Sequence, residues 1–265
     1  MHSTVLTEAP SIRQQSTSPA YAEQALDAIT RIAAASDPPE LLERLANATA
    51  AIGATASVYT ASIPEDGSER SAFRLFACHP AFAMEHFGQT AFPEHPWFRF
   101  ARTHTMPATD SQIQPLHGND AAAIDLARRF GFKSAFVIPT RANAGVDRLD
   151  VLCVGSMHPD DFEGPQARAA RTLSRALANE LQDWLTRHLR GRIRDAARLQ
   201  QLDVDLLTME WEGLGTKEIC HRTGMTMASV DSRFQRINAR LNCASRKASA
   251  HRAAAYGLIE PVKTP

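Results

Sequence analysis

A chain of 265 residues has room for two domains, the larger with a sizeable core. Apolar residues make up 44% and charged residues 22%, an ordinary globular composition, and no apolar run reaches the length of a membrane span. The formal charge of zero hides a split: residues 191–265 carry 12 Lys+Arg against 8 Asp+Glu, and residues 1–190 carry 17 against 21. A modestly basic tail beside an acidic partner fits a sensor joined to a nucleic-acid binder. Four scattered cysteines (Cys78, Cys153, Cys220, Cys243), without Cys-x-x-Cys or a secretory leader, read as reduced thiols in a cytoplasmic protein.

Residues 1–20, rich in Ser, Thr, Gln and Pro, read as a disordered tail. Tyr21–Ala35 and Glu40–Ile52 then show helical spacing, divided by Asp37-Pro38-Pro39, which starts the second helix. Ala54–Ile63 and Ala72–His79 read as strands joined by the polar turn at 64–68. Short helices are expected at Ala81–Phe87 and His95–Arg102, loop at 103–117, and an Ala-rich helix at Ala121–Phe130 ended by Gly131. Lys133–Thr140 and Leu149–Ser156 read as two more strands, with a turn around Asn143-Ala144-Gly145. A long helix follows at Gln166–Leu189, and Arg190-Gly191-Arg192 is the expected domain boundary. The order predicts an α+β protein: an α/β/α sandwich over an antiparallel sheet at 21–190, then an all-α domain at 191–265.

The tail domain carries the sharpest local pattern. In Met227–Leu241, Val230, Phe234, Ile237 and Leu241 fall at i, i+4, i+7 and i+11, one apolar stripe at the helical period. The opposite face carries Ser229, Ser232, Arg233, Arg236 and Arg240. A short helix from Thr216 to Thr223 precedes it, with Gly224-Met225-Thr226 as the break, which describes a helix-turn-helix. An Arg-rich helix alone is equally well a solvated face on a core.

Residues Leu199 to Ile259 resemble the LuxR-type DNA-binding domain, on Leu207, Gly213, Glu218-Ile219, Met225-Thr226, Ser229-Val230, Ile237, Arg240-Leu241, Arg246 and Gly257-Leu258-Ile259. The spacing holds without a gap over about sixty residues. Asp203 stands where that family has Glu, Leu214-Gly215 where it has Lys-Thr, and Arg233 and Arg236 where it usually has His and Asn. The resemblance implies a four-helix domain in which Lys217, Thr226, Ser229, Ser232, Arg233, Arg236 and Arg240 contact double-stranded DNA. Arg233 and Arg236 are expected on bases or phosphates, Arg240 and Lys217 on the backbone.

Upstream, His95 to Arg102, Met106-Pro107 and Phe130 to Pro139 are similar to the acyl-homoserine-lactone-binding domain of quorum-sensing LuxR proteins. In that family a Trp and a Tyr hold the lactone, an Asp accepts the amide proton, and a second Trp and a Gly complete the wall. Those positions fall here on Phe82, His86, His95, Asp110 and Ala135, with Pro96 retained; Tyr59 and Cys78 complete the expected ligand set. Phe82 lacks the indole donor, His95 replaces the carboxylate, and Asp110 brings a charge where a ring is expected.

The resemblance therefore implies a homodimeric regulator binding palindromic promoter DNA, a LuxR solo answering to another small molecule or to none. Two alternatives are a standard acyl-homoserine-lactone receptor and a protein that inactivates a LuxR-type partner by heterodimerisation. An enzyme is not expected. Cys78-His79 would point to opposite faces of a strand end, and His79, His86, His95 and His104 lack metal-site spacing. No cofactor is expected, and Asp147, Asp150, Asp160 and Asp161 do not form a phosphorylation cluster.

Overall fold

Ser11 accepts from the Gln14 N–H while Gln14 Oε1 accepts from the Ser11 N–H, closing a single helical turn, α1 (Ile12–Gln15). The computed structural model describes residues 10–64, 70–89, 95–116, 118–141 and 148–259, with the backbone alone at 70 and 86–89. The expected disordered tail is thus corrected for residues 11–20. Ile12 is fully buried, and its N–H donates to Asp161 Oδ2 at 2.9 Å, where the Ser156 hydroxyl also donates at 2.7 Å. One apolar anchor and a reciprocal cap suffice to order a stretch whose average composition is polar.

Helix α2 (Tyr21–Thr30), continued by a 3-10 turn at Arg31–Ala34, packs against α3 (Pro38–Ala51). Asp37 caps α3, accepting from the Glu40 N–H at 2.9 Å, and the Tyr21 hydroxyl donates to the Ile52 carbonyl at 2.8 Å. Five strands follow the expected pairs with one addition: β1 (Ala56–Pro64), β2 (Arg70–Ala77), β3 (Ala108–Thr109), β4 (Ser134–Arg141) and β5 (Leu149–Ser156). They form one antiparallel sheet in the order β2-β1-β5-β4-β3. Strand β3 lies in the stretch read as loop; Ala108 pairs with Val137 and Thr109 with Phe136, too short a run to show alternation.

Burial runs unbroken from Ala56 to Ile63 in β1 and through every residue of β5, so both faces of the central strands are covered, as in a sandwich. Between the hairpins lie α4 (Pro80–Gln89), α5 (Pro96–Thr103) and α6 (Asp120–Arg129), with α4 and α5 both packed on α6. The turns expected at 64–68 and 143–145 lie outside the described residues, apart from Pro64.

Helix α7 (Arg168–Ala196) runs through Arg190-Gly191-Arg192 without a break, so the expected helix end there is corrected. Leu189, Ile193 and Ala197 continue its buried stripe, and a lone interior glycine costs only about 1 kcal/mol. Four helices follow: α8 (Gln201–Trp211), α9 (Thr216–Thr223), α10 (Met227–Leu241) and α11 (Arg246–Ala255). The chain divides into two compact units, one of residues up to 60, 74–140 and 150–182, the other of 61–73, 141–149 and 183 onward. Among the described residues no helix is long and apolar enough to cross a membrane.

Candidate functional site

In the second unit, α8 to α11 pack around Leu206, Leu207, Ile219 and the stripe Val230, Phe234, Ile237 and Leu241, all of them buried. Gly224, at φ +70°, ends α9 in the left-handed region, and Thr226 accepts from the Ser229 N–H at 3.2 Å to start α10. Gly215 takes the N-cap position of α9, its N–H held by Glu218 Oε2 at 3.0 Å. With the stripe buried, α10 turns Ala228, Ser232, Gln235, Arg236 and Ala239 to solvent, and Lys217, Thr226 and Ser229 are exposed beside it. Among the described residues Arg236 and Gln235 have no hydrogen-bond or ion-pair partner, so both are available to an external acceptor.

Arg233 is different, because its guanidinium is engaged within the chain. Its Nε lies 2.7 Å from Asp203 Oδ1 and its Nη2 2.9 Å from Gln200 Oε1, with the side chain 18% exposed. Asp203, at 3% exposure, also accepts from the Gln200 N–H at 2.9 Å, capping α8. Arg240 reaches the Arg198 carbonyl at 3.2 Å and Asp203 Oδ2 at 3.6 Å, while remaining 44% exposed. Arg246 pairs with Asp231 and lies 4.5 Å from the centre of the Phe234 ring. These three arginines seat α10, and Arg236 is left exposed on its outer face.

In the first unit, a cleft opens against the sheet with about 380 Å³ of space, its mouth included. Strand β1 contributes Val58 and Thr60, and β5 contributes Val151 and Cys153. Phe76, Phe82, Trp97 and Phe98 supply aromatic walls, and His95 the remaining ring. His95 sits at the N-cap of α5, where its Nδ1 accepts from the Trp97 N–H at 3.3 Å; the two rings meet edge to face at 5.0 Å. Phe132 lies behind, 5.5 Å from the Phe82 ring and 5.6 Å from that of Trp97. Among the described residues, Thr60 Oγ1 and Trp97 Nε1 are buried without a hydrogen-bond partner. Such atoms are uncommon in a folded interior, and here two of them border one cavity.

No protein-family model and no curated protein matches the sequence. Solved structures do. SdiA in complex with octanoyl-rac-glycerol matches at a TM-score of 0.65 and 12% identity, over 89% of this chain and 95% of that one. Another structure of SdiA, from Escherichia coli, matches at 0.63 and 12% identity, over 90% and 99%. This chain has the LuxR-type fold. The N-acylhomoserine lactone dependent LuxR family transcription factor CepR2 from Burkholderia cenocepacia is similar at 0.49 and 17% identity, over 64% of this chain and 95% of that one.

Within the LuxR-type fold, Phe82 and His95 are the expected ligand residues that line the cleft. Tyr59 does not: it alternates to the other face of β1 from Val58 and Thr60, and its hydroxyl donates to Asp150 Oδ2 at 2.9 Å. Cys78 lies outside the lining, and burial pushes its thiol up to about 12, the reverse of what a nucleophile needs. Its neighbour His79 accepts from the Ala81 N–H at 3.2 Å and stacks on Phe130. The His86 side chain lies outside the described residues. Of the lining residues the sequence reading missed, Val58 with Thr60 and Val151 with Cys153 are pairs two apart, the signature of one strand face, and Phe76, Trp97 and Phe98 are the others.

Asp110 and Ala135 form a brace and do not line the cleft: Asp110 Oδ1 accepts from the Ala135 N–H at 2.8 Å. Burial raises the Asp110 carboxyl above its usual range. A carboxyl so raised supports folding below its unfolded pKa, and that support is lost as pH rises through the folded value. Asp110→Asn keeps an oxygen for Ala135 and removes the charge, so it is expected to hold or raise Tm at neutral pH and to flatten Tm against pH in the acid range. Asp110→Ala leaves the Ala135 N–H unpaired and is expected to cost about 1–3 kcal/mol. Thermal unfolding across pH separates the two, and an equal loss in both variants would contradict the brace.

Proposed function

We propose that the chain is a cytoplasmic, DNA-binding transcription regulator that acts as a homodimer, with a small-molecule pocket departing from the acyl-homoserine-lactone pattern. Residues from Tyr21 into α7 form the sensory and dimerising part, and residues from about 191 onward the DNA-binding part. Two copies of α10 enter successive major grooves of a palindromic site, and the effector or the folded apo state sets their spacing. The observation that carries the reading is the outward face of α10, where Arg236 and Gln235 stand exposed and unpartnered on a helix firmly seated behind. The solved SdiA complex with octanoyl-rac-glycerol supports a pocket in this fold that holds a ligand other than an acyl-homoserine lactone.

Arg and Gln are suited to guanine and adenine edges in the major groove. Arg236→Ala is expected to weaken binding to the chain's own promoter DNA by about 1–3 kcal/mol and relax preference at one base pair, with Tm unchanged. Fluorescence anisotropy over a salt series measures both effects. Unchanged affinity and unchanged preference would remove Arg236 from the interface.

A further inference from the structure

We infer that Arg198, just past the end of α7, contacts a DNA phosphate and extends the interface beyond the helix-turn-helix to the helix that precedes it. This rests on the reading of α10 as the recognition helix. Residues 187–198 carry five arginines and one histidine against a single acid, Asp195. Arg198 is exposed, and among the described residues its guanidinium meets no acceptor.

The backbone sets this arginine apart from the rest of the run. Arg198 stands in the left-handed region at φ +46°, where the Leu199 N–H turns back to the Arg194 carbonyl at 3.2 Å and the Leu199 side chain is buried. At the ends of α9, α10 and α11 the same conformation falls to Gly224, Asn242 and Gly257, residue types that adopt it readily. An arginine here costs stability that glycine would not, and its guanidinium returns none of that cost by packing within the chain. Its surroundings supply another use for it. Arg240 Nη1 donates to the Arg198 carbonyl at 3.2 Å, and Arg233 bonds Gln200 and Asp203 at the start of α8. Arg233 and Arg240 lie seven apart, on one flank of α10 beside the outward face that carries Ser232 and Arg236. The end of α7 therefore borders that flank. A recognition helix fills a major groove about 12 Å wide, so a residue bordering its flank stands over the phosphates of the groove edge. There an exposed guanidinium makes a charge-assisted bond that fixes the protein on the duplex and reads no base.

Arg198→Gly tests this, because it removes the guanidinium, relieves the backbone and keeps the carbonyl that holds Arg240. Fluorescence anisotropy of the full-length protein over a salt series is measured on its own promoter DNA and on an unrelated duplex of equal length. Arg198→Gly is expected to hold or raise Tm and to weaken binding to both duplexes alike, by about tenfold at low salt. The slope of log affinity against log salt is expected to fall by about two per dimer, one for each copy. Arg198→Asn, which also tolerates the left-handed region, is expected to match it, and Arg198→Lys to keep the slope. Arg192→Ala removes an exposed charge from the same run and is expected to leave the slope unchanged. An unchanged slope in Arg198→Gly overturns the contact. So does a fall in Arg192→Ala as large as in Arg198→Gly, since the loss then belongs to net charge and not to one position. Binding of the unsubstituted protein to neither duplex overturns the reading of α10 itself, and this inference with it.

Discussion

Asp203→Ala is expected to lower the stability of the helical unit by about 3–5 kcal/mol, the range for breaking a buried ion pair by removing one partner. The residue does three things at 3% exposure: it caps α8 through the Gln200 N–H, holds Arg233 Nε at 2.7 Å, and stands 3.6 Å from Arg240. Without it the Gln200 N–H is orphaned and a guanidinium at 18% exposure loses its counter-ion. Amide hydrogen exchange of α8 and α10 measures the effect locally, where whole-chain melting would mix two units. A loss under about 1 kcal/mol would place the pair with exposed ion pairs of little worth. Replacing both partners, Asp203→Leu with Arg233→Leu, is expected to recover much of the loss, because no charge is then left unpaired. Arg233→Ala should weaken DNA binding in step with stability, whereas Arg236→Ala should weaken DNA binding alone. That contrast separates an arginine that seats the helix from one that reads through it.

The helix-turn-helix was legible because every local signal agrees. The stripe from Val230 to Leu241 has one period, Gly224 ends one helix, and Thr226 begins the next, so the expected bounds of α9 and α10 are those observed. The roles of its arginines were not legible. Arg233 and Arg236 are both three or fewer residues from Phe234, and only the position of Asp203, thirty residues away in sequence, shows which of them is occupied. The cleft was legible only in part. A gapless carry-over places Phe82 and His95 on its lining, but Asp110 and Ala135 are bonded to each other, and Tyr59 lies on the other face of a strand whose parity no local pattern marks. Since β1 is buried on both faces, alternation gives no hint which residues meet the cavity. Trp97 was read only as part of a matching block, and its unpartnered indole becomes visible once α5 is docked.

Gly155→Ala is expected to cost about 3 kcal/mol, the upper end for overpacking a core, although the strand backbone there has no unusual φ. A Cβ on Gly155 would stand 2.2 Å from Phe132 Cδ1 and 2.7 Å from the Gly131 carbonyl oxygen. The carbonyl cannot simply withdraw: it accepts from the Thr55 hydroxyl at 3.0 Å, while the Thr55 N–H donates to the Gly155 carbonyl at 2.9 Å. The Phe132 ring lies against Phe82 and Trp97, the walls of the cleft, so a shift of the ring presses on them. Gly155→Ala should therefore disturb ligand binding as well as Tm, whereas a substitution on the far face of β5 should not. Phe132→Leu removes the part of the ring that clashes, so the double variant should lose less than the two single losses added, with a coupling of about 1 kcal/mol. Strict additivity in urea denaturation would mean that the Gly131 carbonyl, and not the ring, sets the cost. In that case the strain stays within the backbone of the strand and does not pass through Phe132 to Trp97.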